Sequence, residues 1–385
     1  MTRYFIEGSD LVAKVVVLCK PDVVSAYPIT PQTHIVEKLA NLVANGELKS
    51  KFMEVESEFS AISSVAGACA AGSRTFTATS SQGLALMHEM LFASAGLRLP
   101  LVMVVANRAL SAPINIWNDQ QDSISERDAG WIQLYVETAQ EAADSVIQAY
   151  RIAEDKRVLL PIMVCMDGFI LTHTVEPAEL PNEEEVQEFL PKYKPTHAIL
   201  DPNRPMTLGP FAYPEPYFKL RKEISTSIDG SKNVISEINE EFAKKFKRKY
   251  GNGLVEEYKN NRKMTIVSMG SVVGTMREVI DSRNDVGLVK IRCYRPFPKE
   301  DLIRTSRSKK IVIVLEKDIS LGLGSGSVFS EVRDALYTLK KKPKVVGFIA
   351  GLGGVDITNK MINRALDNSK KMKDGEVDWL IQTKI

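Results

Sequence analysis

Across residues 1–175, uncharged apolar runs alternate with stretches whose apolar residues recur every three or four positions. Those two spacings separate buried strands from amphipathic helices. Ser9 is placed to cap a helix with Leu11, Val12, Val15 and Val16 on its apolar face, and 23–27 reads as a buried strand. Thr30-Pro31 then opens a second helix, with Thr30 as N-cap, Pro31 in the first helical position, and Ile35, Val36, Leu39, Leu42 and Val43 at helical spacing. Residues 52–55 predict a short strand, 57–72 an Ala-, Ser- and Gly-rich helix, 75–79 a β-branched strand, 82–96 a helix and 101–105 an all-apolar strand. A loop over 107–122, an amphipathic helix over 140–153 and a strand over 160–165 close the series. Alternation with continuous apolar strands predicts an α/β fold built on a parallel sheet covered on both faces.

From 176 to 262 the pattern changes. Glu183-Glu184-Glu185 precedes Pro191, Pro195, Pro202, Pro205, Pro210, Pro214 and Pro216, a stretch read as an extended segment wrapping a surface. A charged helix follows to Tyr250, and its basic run 244–249 reads as a solvated helix end. Gly251-Asn252-Gly253 marks a break, and 263–385 predicts a second, smaller α/β unit with strands at 264–269, 289–293, 311–315 and 345–349.

Composition narrows the function. Of 385 residues, 44% are hydrophobic and 25% charged, which is ordinary globular composition. Fifty Lys and Arg against 48 Asp and Glu give a net charge of +2, no footprint for nucleic acid and no polybasic membrane tail. No apolar run is long enough for a signal peptide or a membrane span. Cys19, Cys69, Cys165 and Cys293 are scattered without metal-ligand spacing, and the four histidines are isolated along the chain, so no residue is predicted to ligate a metal. Few, unpatterned cysteines fit a reducing, cytoplasmic compartment.

Polar residues cluster at the predicted carboxyl ends of the strands, where open parallel sheets bind ligands. There stand Tyr27-Pro28-Ile29-Thr30-Pro31, Glu56-Ser57-Glu58, Ser80-Ser81-Gln82-Gly83 and Asn107-Arg108. Thr30 reads either as an anion site at a helix N-terminus or as a plain cap. Glu58 reads as a hemmed-in carboxyl fit for proton chemistry, or as a favourable acid in a first helical turn. Arg108 reads as a bidentate grip on a carboxylate, or as an internal partner of Asp119 or Asp122. The glycine loops 322–327 and 351–354 suggest phosphate cradles or tight packing turns, but neither fits G-x-G-x-x-G or a Walker A loop.

Together these strings carry a family resemblance. Tyr27-Pro-Ile-Thr-Pro-Gln-Thr33, Glu54-Val-Glu-Ser-Glu58, 77–83 and 107–119 occur in order, followed by 167–173, Tyr294-Arg-Pro-Phe-Pro298 and 316–322. The chain resembles the α, pyrimidine-binding subunits of the pyruvate:ferredoxin oxidoreductases, within the 2-oxoacid:ferredoxin oxidoreductase family, over nearly its whole length. The resemblance implies that the α/β unit over 1–175 is a thiamine diphosphate pyrimidine-binding domain and the unit over 263–385 a transketolase C-terminal-like domain, on either side of the proline-rich wrapping segment and charged helix of 176–262. It implies oxidative decarboxylation of pyruvate to acetyl-coenzyme A, with electrons passed to ferredoxin through iron–sulfur clusters. Glu58 matches the glutamate that contacts the aminopyrimidine, Thr30 and Arg108 match the substrate-holding residues, and Tyr27, Pro28, Ser81 and Gln82 fall in the motifs around the cofactor.

Two absences qualify that picture. No Gly-Asp-Gly magnesium motif occurs (Met166-Asp167-Gly168 is nearest), and cluster-binding cysteines are missing. The chain is therefore expected to hold half a cofactor site, with magnesium and [4Fe-4S] clusters on partner subunits. Another 2-oxoacid as substrate and a non-catalytic assembly subunit remain as alternatives. A stand-alone NAD-dependent dehydrogenase is disfavoured by the missing dinucleotide fingerprint.

Overall fold

The computed structural model describes residues 2–195 and 199–381. In chain order it runs β1 (Thr2–Glu7), α1 (Gly8–Cys19), β2 (Val23–Ala26), α2 (Thr33–Ala44), β3 (Lys51–Glu54), α3 (Glu58–Ala70), β4 (Thr75–Thr79), α4 (Ser81–Leu86), α5 (His88–Gly96), β5 (Val102–Asn107), α6 (Gln121–Ser125), β6 (Ile132–Tyr135), α7 (Ala139–Ala153) and β7 (Ile162–Asp167). It continues through β8 (Val175–Leu180), α8 (Glu183–Phe189), α9 (Pro214–Phe246), β9 (Val255–Tyr258), β10 (Met264–Ser268), α10 (Val272–Asp281), β11 (Val286–Ile291), β12 (Cys293–Arg295), α11 (Lys299–Ser306), β13 (Ile311–Glu316), α12 (Ser327–Tyr337), β14 (Lys344–Ile349), α13 (Asn359–Ser369) and β15 (Val377–Trp379).

Seven strands in the order β12-β6-β7-β5-β4-β2-β3 form the first sheet, parallel except where β12 joins β6. Along β5, Val102 and Val104 enter one core while Met103 and Val105 enter another, so both faces are buried. That double burial explains the uninterrupted apolar runs. The first core packs against α1, α2, α7 and α9. The second takes side chains from α3 and α5 on one side and from β10, β11, β13 and α12 on the other. It therefore joins the two sheets. The second sheet runs β15-β14-β13-β10-β11-β9, with only β9 antiparallel to its neighbour, and α10 and α13 cover its far face.

Tertiary contacts revise several local expectations. Glu7, not Ser9, stands at the N-cap of α1, and Ser9 is buried with its hydroxyl donating to the Thr172 carbonyl at 2.8 Å. The helix expected over 82–96 is divided at Met87 into α4 and α5. Pro214 and Pro216 lie in the first turn of the 33-residue α9, where a missing N–H costs nothing; only the earlier prolines stay outside helix, and part of that stretch, 196–198, lies outside the described residues. The basic run is not simply solvated: Arg248 makes a bidentate pair with the buried Asp144, at 2.6 and 2.7 Å.

The sheets also cross the expected boundary at 262/263. β9 precedes it yet completes the second sheet, and β12 follows it yet extends the first. At this crossing Lys290 and Arg292 reach Glu141 of α7 at 2.5 and 3.2 Å, all three buried. Strands this short carry little β-propensity signal; their partners across the molecule place them.

Candidate active site

The carboxyl ends of β2, β4, β5 and β7 turn toward one edge, where most residues singled out from the sequence meet. α3 begins where the sequence predicts: Ser57 caps it, accepting the Ser60 N–H at 3.2 Å, so Glu58 occupies the first helical position. Its side chain is 7% exposed, and its carboxylate has no hydrogen-bond partner among the described residues. The carboxylate lies over Gly83: a Cβ there would come 2.6 Å from Glu58 Oε1 and 2.6 Å from Thr79 Oγ1. Around it Thr79 Oγ1 and Ser80 Oγ are buried without partners among the described residues. A carboxylate on a largely buried residue, orphaned polar atoms and a glycine that must stay bare thus share one place at this edge.

Ser81 holds this edge in a left-handed backbone conformation, φ +49°. Its N–H donates to Asp122 Oδ2 at 3.0 Å, and its hydroxyl bonds the Ala109 carbonyl at 2.5 Å and Gln82 Oε1 at 2.6 Å. Asp122 also accepts the Arg108 N–H (2.9 Å), the Ser123 N–H (2.8 Å) and Asn107 Nδ2 (2.7 Å). It thus clasps the ends of β4 and β5 together, a role the sequence reading missed in treating it only as a charge partner for Arg108. Burial pushes the Asp122 carboxyl up to about 7, against the pull of these donors. Folded Asp122 then binds more protons than the unfolded residue, with its ordinary value of 3.8, so the contribution of this group to stability falls as pH rises from about 4 through about 7. Asp122→Asn is expected to flatten that part of the profile. Parallel denaturation midpoints for the two proteins between pH 5 and 8 would refute the proton uptake.

Thr30 is exposed at the same edge but does not cap α2, which starts at Thr33 with Gln32 preceding it. Gln32 explains the shift: buried, it accepts the Ile29 N–H at 3.3 Å and donates to the Ala78 carbonyl at 2.6 Å, tying the turn to β4. Arg108 is 6% exposed, and its guanidinium pairs with no carboxylate among the described residues. Instead its Nε donates to the Asn115 carbonyl at 2.7 Å and its Nη1 to the Thr30 carbonyl at 3.0 Å, which aims the remaining N–H groups. Burial pushes its pKa down and the Asp122 charge pulls it back. Tyr27 and Pro28 lie exposed on the loop leading to Thr30.

The second domain reaches this edge through the glycine loop 351–354. Asn115 Nδ2 donates to the Gly353 carbonyl at 3.1 Å, and the Gly353 N–H donates to Asp119 at 3.0 Å. Gly353 and Gly354 have φ of +60° and +84°, and a Cβ on Gly354 would come 2.3 Å from that of Trp117. This loop is a packing turn that braces the chain holding Arg108. The loop 322–327 instead receives Glu316, which accepts the Gly326 and Phe329 N–H groups, both at 3.1 Å. Its anion-binding end is filled by the protein's own carboxylate.

Residues 14–240 match the family described as "Pyruvate flavodoxin/ferredoxin oxidoreductase, thiamine diP-bdg", and residues 263–362 match "Pyruvate:ferredoxin oxidoreductase core domain II". The pyruvate synthase subunit PorA of Methanocaldococcus jannaschii is 55% identical over 97% of each chain. That of Pyrococcus furiosus is 51% identical over 98% of this chain and 96% of its own. A ketoisovalerate oxidoreductase subunit, VorA of Pyrococcus horikoshii, is 41% identical over 97% of this chain and 96% of its own. Among solved structures, 2-oxoglutarate:ferredoxin oxidoreductase from Magnetococcus marinus superposes with a TM-score of 0.74 at 21% identity, covering 95% of this chain and 65% of that one. A split-gene transketolase gives 0.58 at 14% identity, over 96% of this chain and all of that one. The structural likenesses show the fold alone, α/β units built on parallel-rich sheets. The chain belongs to the pyruvate:ferredoxin oxidoreductase family, as the subunit that carries its thiamine diphosphate-binding domain and its core domain II.

Proposed function

We propose that the chain works as the α subunit of an enzyme that oxidatively decarboxylates pyruvate to acetyl-coenzyme A, reversibly, and passes the electrons to ferredoxin. The observation that carries this reading is the Glu58 carboxylate, on a largely buried residue and without a hydrogen-bond partner among the described residues, over the bare Gly83. An aminopyrimidine offers ring and amino groups to such a carboxylate, and Ser80, Ser81 and Gln82 line the same floor. Thiamine diphosphate, when bound, supplies the carbon nucleophile and holds the electrons left by decarboxylation.

This chain's own residues prepare that chemistry. Glu58 shares a proton with the pyrimidine ring at its carboxylate oxygens. Arg108, aimed by two carbonyls, presents its free N–H groups to the substrate carboxylate. Thr30, whose carbonyl Arg108 engages, carries a short, uncharged side chain, which suits a small monocarboxylate. Higher identity to pyruvate synthase subunits than to the ketoisovalerate subunit favours pyruvate. Dye reduction by the purified complex across a panel of 2-oxoacids tests this: pyruvate should give the highest kcat/KM. A higher value for a branched-chain acid would reassign the substrate.

Partners complete the site. Ile114, Trp117, Leu321 and Leu323 are exposed on the loops that follow β5 and β13, at the same edge. We assign this apolar rim to the subunit that brings the diphosphate and magnesium half of the site, with iron–sulfur clusters and the coenzyme A contacts also on partners. No described helix is long and apolar enough to cross a membrane, and four buried free cysteines fit a reducing cytoplasm. The lone chain should fold, be colourless and bind thiamine diphosphate weakly. Tight, magnesium-dependent binding in calorimetry on the isolated chain would overturn the divided site.

A further inference from the structure

The fold gathers metal-ligating side chains that the sequence keeps far apart. Glu7, His34 and His173 each place a ligand atom within 4.8 Å of those of the other two, the only such trio among the described residues. This corrects the expectation of isolated histidines: the rings of His34 and His173 are 4.4 Å apart, centroid to centroid. We propose that Glu7, His34 and His173 form a binding site for a divalent transition metal, with zinc the best match to their donors.

Three independent anchors hold the trio. Glu7 ends β1, directly across the antiparallel ladder from Val175, and His173 stands two residues before Val175. The His173 N–H donates to the Phe169 carbonyl at 3.2 Å, closing a turn behind the ring. His34 projects from the first turn of α2. Two imidazoles and one carboxylate are a zinc donor set that leaves a fourth position open. Here that position faces water, because the His34 side chain is 46% exposed.

The spacing permits closure. Glu7 Oε1 already lies 2.7 Å from His34 Nδ1. Ligand atoms of a tetrahedral zinc ion with bonds of about 2.0–2.1 Å sit roughly 3.3 Å apart. A pair as far apart as 4.8 Å would therefore close by up to about 1.5 Å, within reach of a half-exposed histidine that turns about χ1 and χ2.

A supporting shell is present as well. His173 Nδ1 lies 2.7 Å from Thr172 Oγ1, which itself accepts the Phe169 N–H at 2.8 Å. A fixed partner on one ring nitrogen orients the ring and leaves the other for a metal. Burial, together with the neighbouring His34, pushes the His173 pKa below its ordinary value, against the pull of the Glu7 charge. Competing ligands are poor: all four cysteines are buried, and His88 pairs with Glu126 without a third ligand.

The test uses the full-length chain, stripped with chelator and titrated with zinc chloride by calorimetry and with cobalt chloride by visible absorption. One equivalent of each metal should bind, and cobalt should give the intense bands of four- or five-coordination. Glu7→Gln/His173→Gln should lose that equivalent, weakening zinc binding by more than the roughly 10–100-fold that removal of an outer partner costs. If the double variant melts abnormally, the exposed His34→Gln serves instead and should show the same loss. Absence of binding in the wild type, a six-coordinate cobalt spectrum, or unchanged affinity in a folded variant would each overturn the site.

Discussion

Glu58→Gln is expected to lower 2-oxoacid turnover of the assembled enzyme by roughly two to four orders of magnitude, the scale of lost acid–base assistance. Gln keeps the volume of Glu, so the close approach of Gly83 and the cap at Ser57 survive. Subunit assembly and iron–sulfur content should be unchanged. The amide still accepts one hydrogen bond but cannot share a proton with the pyrimidine ring, so exchange of the cofactor's C2 proton should slow in parallel with turnover. If Glu58 were only a favourable acid in the first turn of α3, the same change would cost about 0.3–1 kcal/mol of stability and leave catalysis nearly intact. Measuring C2 exchange and turnover on one preparation separates the two. Near-normal values for both would remove Glu58 from the mechanism.

Arg108→Lys should act on substrate capture. The guanidinium spends one N–H on the Asn115 carbonyl and one on the Thr30 carbonyl, and its planar fork still has donors left for a carboxylate. An ammonium has three donors and no plane, so it cannot satisfy both carbonyls and still grip a carboxylate in two-point fashion. The expected loss in kcat/KM for pyruvate is about 10–150-fold, corresponding to about 1.5–3 kcal/mol for a charge-assisted contact. Because the loop bearing Asn115 is braced by Gly353, the variant's fold should be checked by its melting profile. A normal profile with unchanged kcat/KM would assign Arg108 to bracing the Thr30 turn alone.

Much of this protein is legible without a structure because its strongest signals are local. Continuous apolar runs within β5, β7, β13 and β14 announce strands buried on both faces, since alternation vanishes when neither face meets water. Ser57 and Thr138 cap α3 and α7 through their own hydroxyls, so those starts are written in the residues themselves. Placement of Glu58, Ser81 and Arg108 at strand ends follows from the same alternation, as ligands in open parallel sheets meet the carboxyl edges.

Other features depend on contacts between residues far apart in the chain. Thr30 has the composition of a cap, yet buried Gln32 reaches across to Ala78 and moves the helix start to Thr33. Arg108 offered two carboxylate partners nearby, Asp119 and Asp122. The fold gives Asp122 to backbone N–H groups and Asp119 to Gly353, leaving the guanidinium on carbonyls. β9 and β12 are too short to declare their sheets, and Glu7, His34 and His173 are too far apart in sequence to suggest a cluster. The sequence alone determined the α/β architecture with its parallel-rich sheets and which residues stand at the carboxyl ends of its strands, because periodicity and motifs act within a few residues. Only the tertiary structure decided which donor meets which acceptor, because a buried polar group must find its partner wherever packing brings one, without regard to distance along the chain.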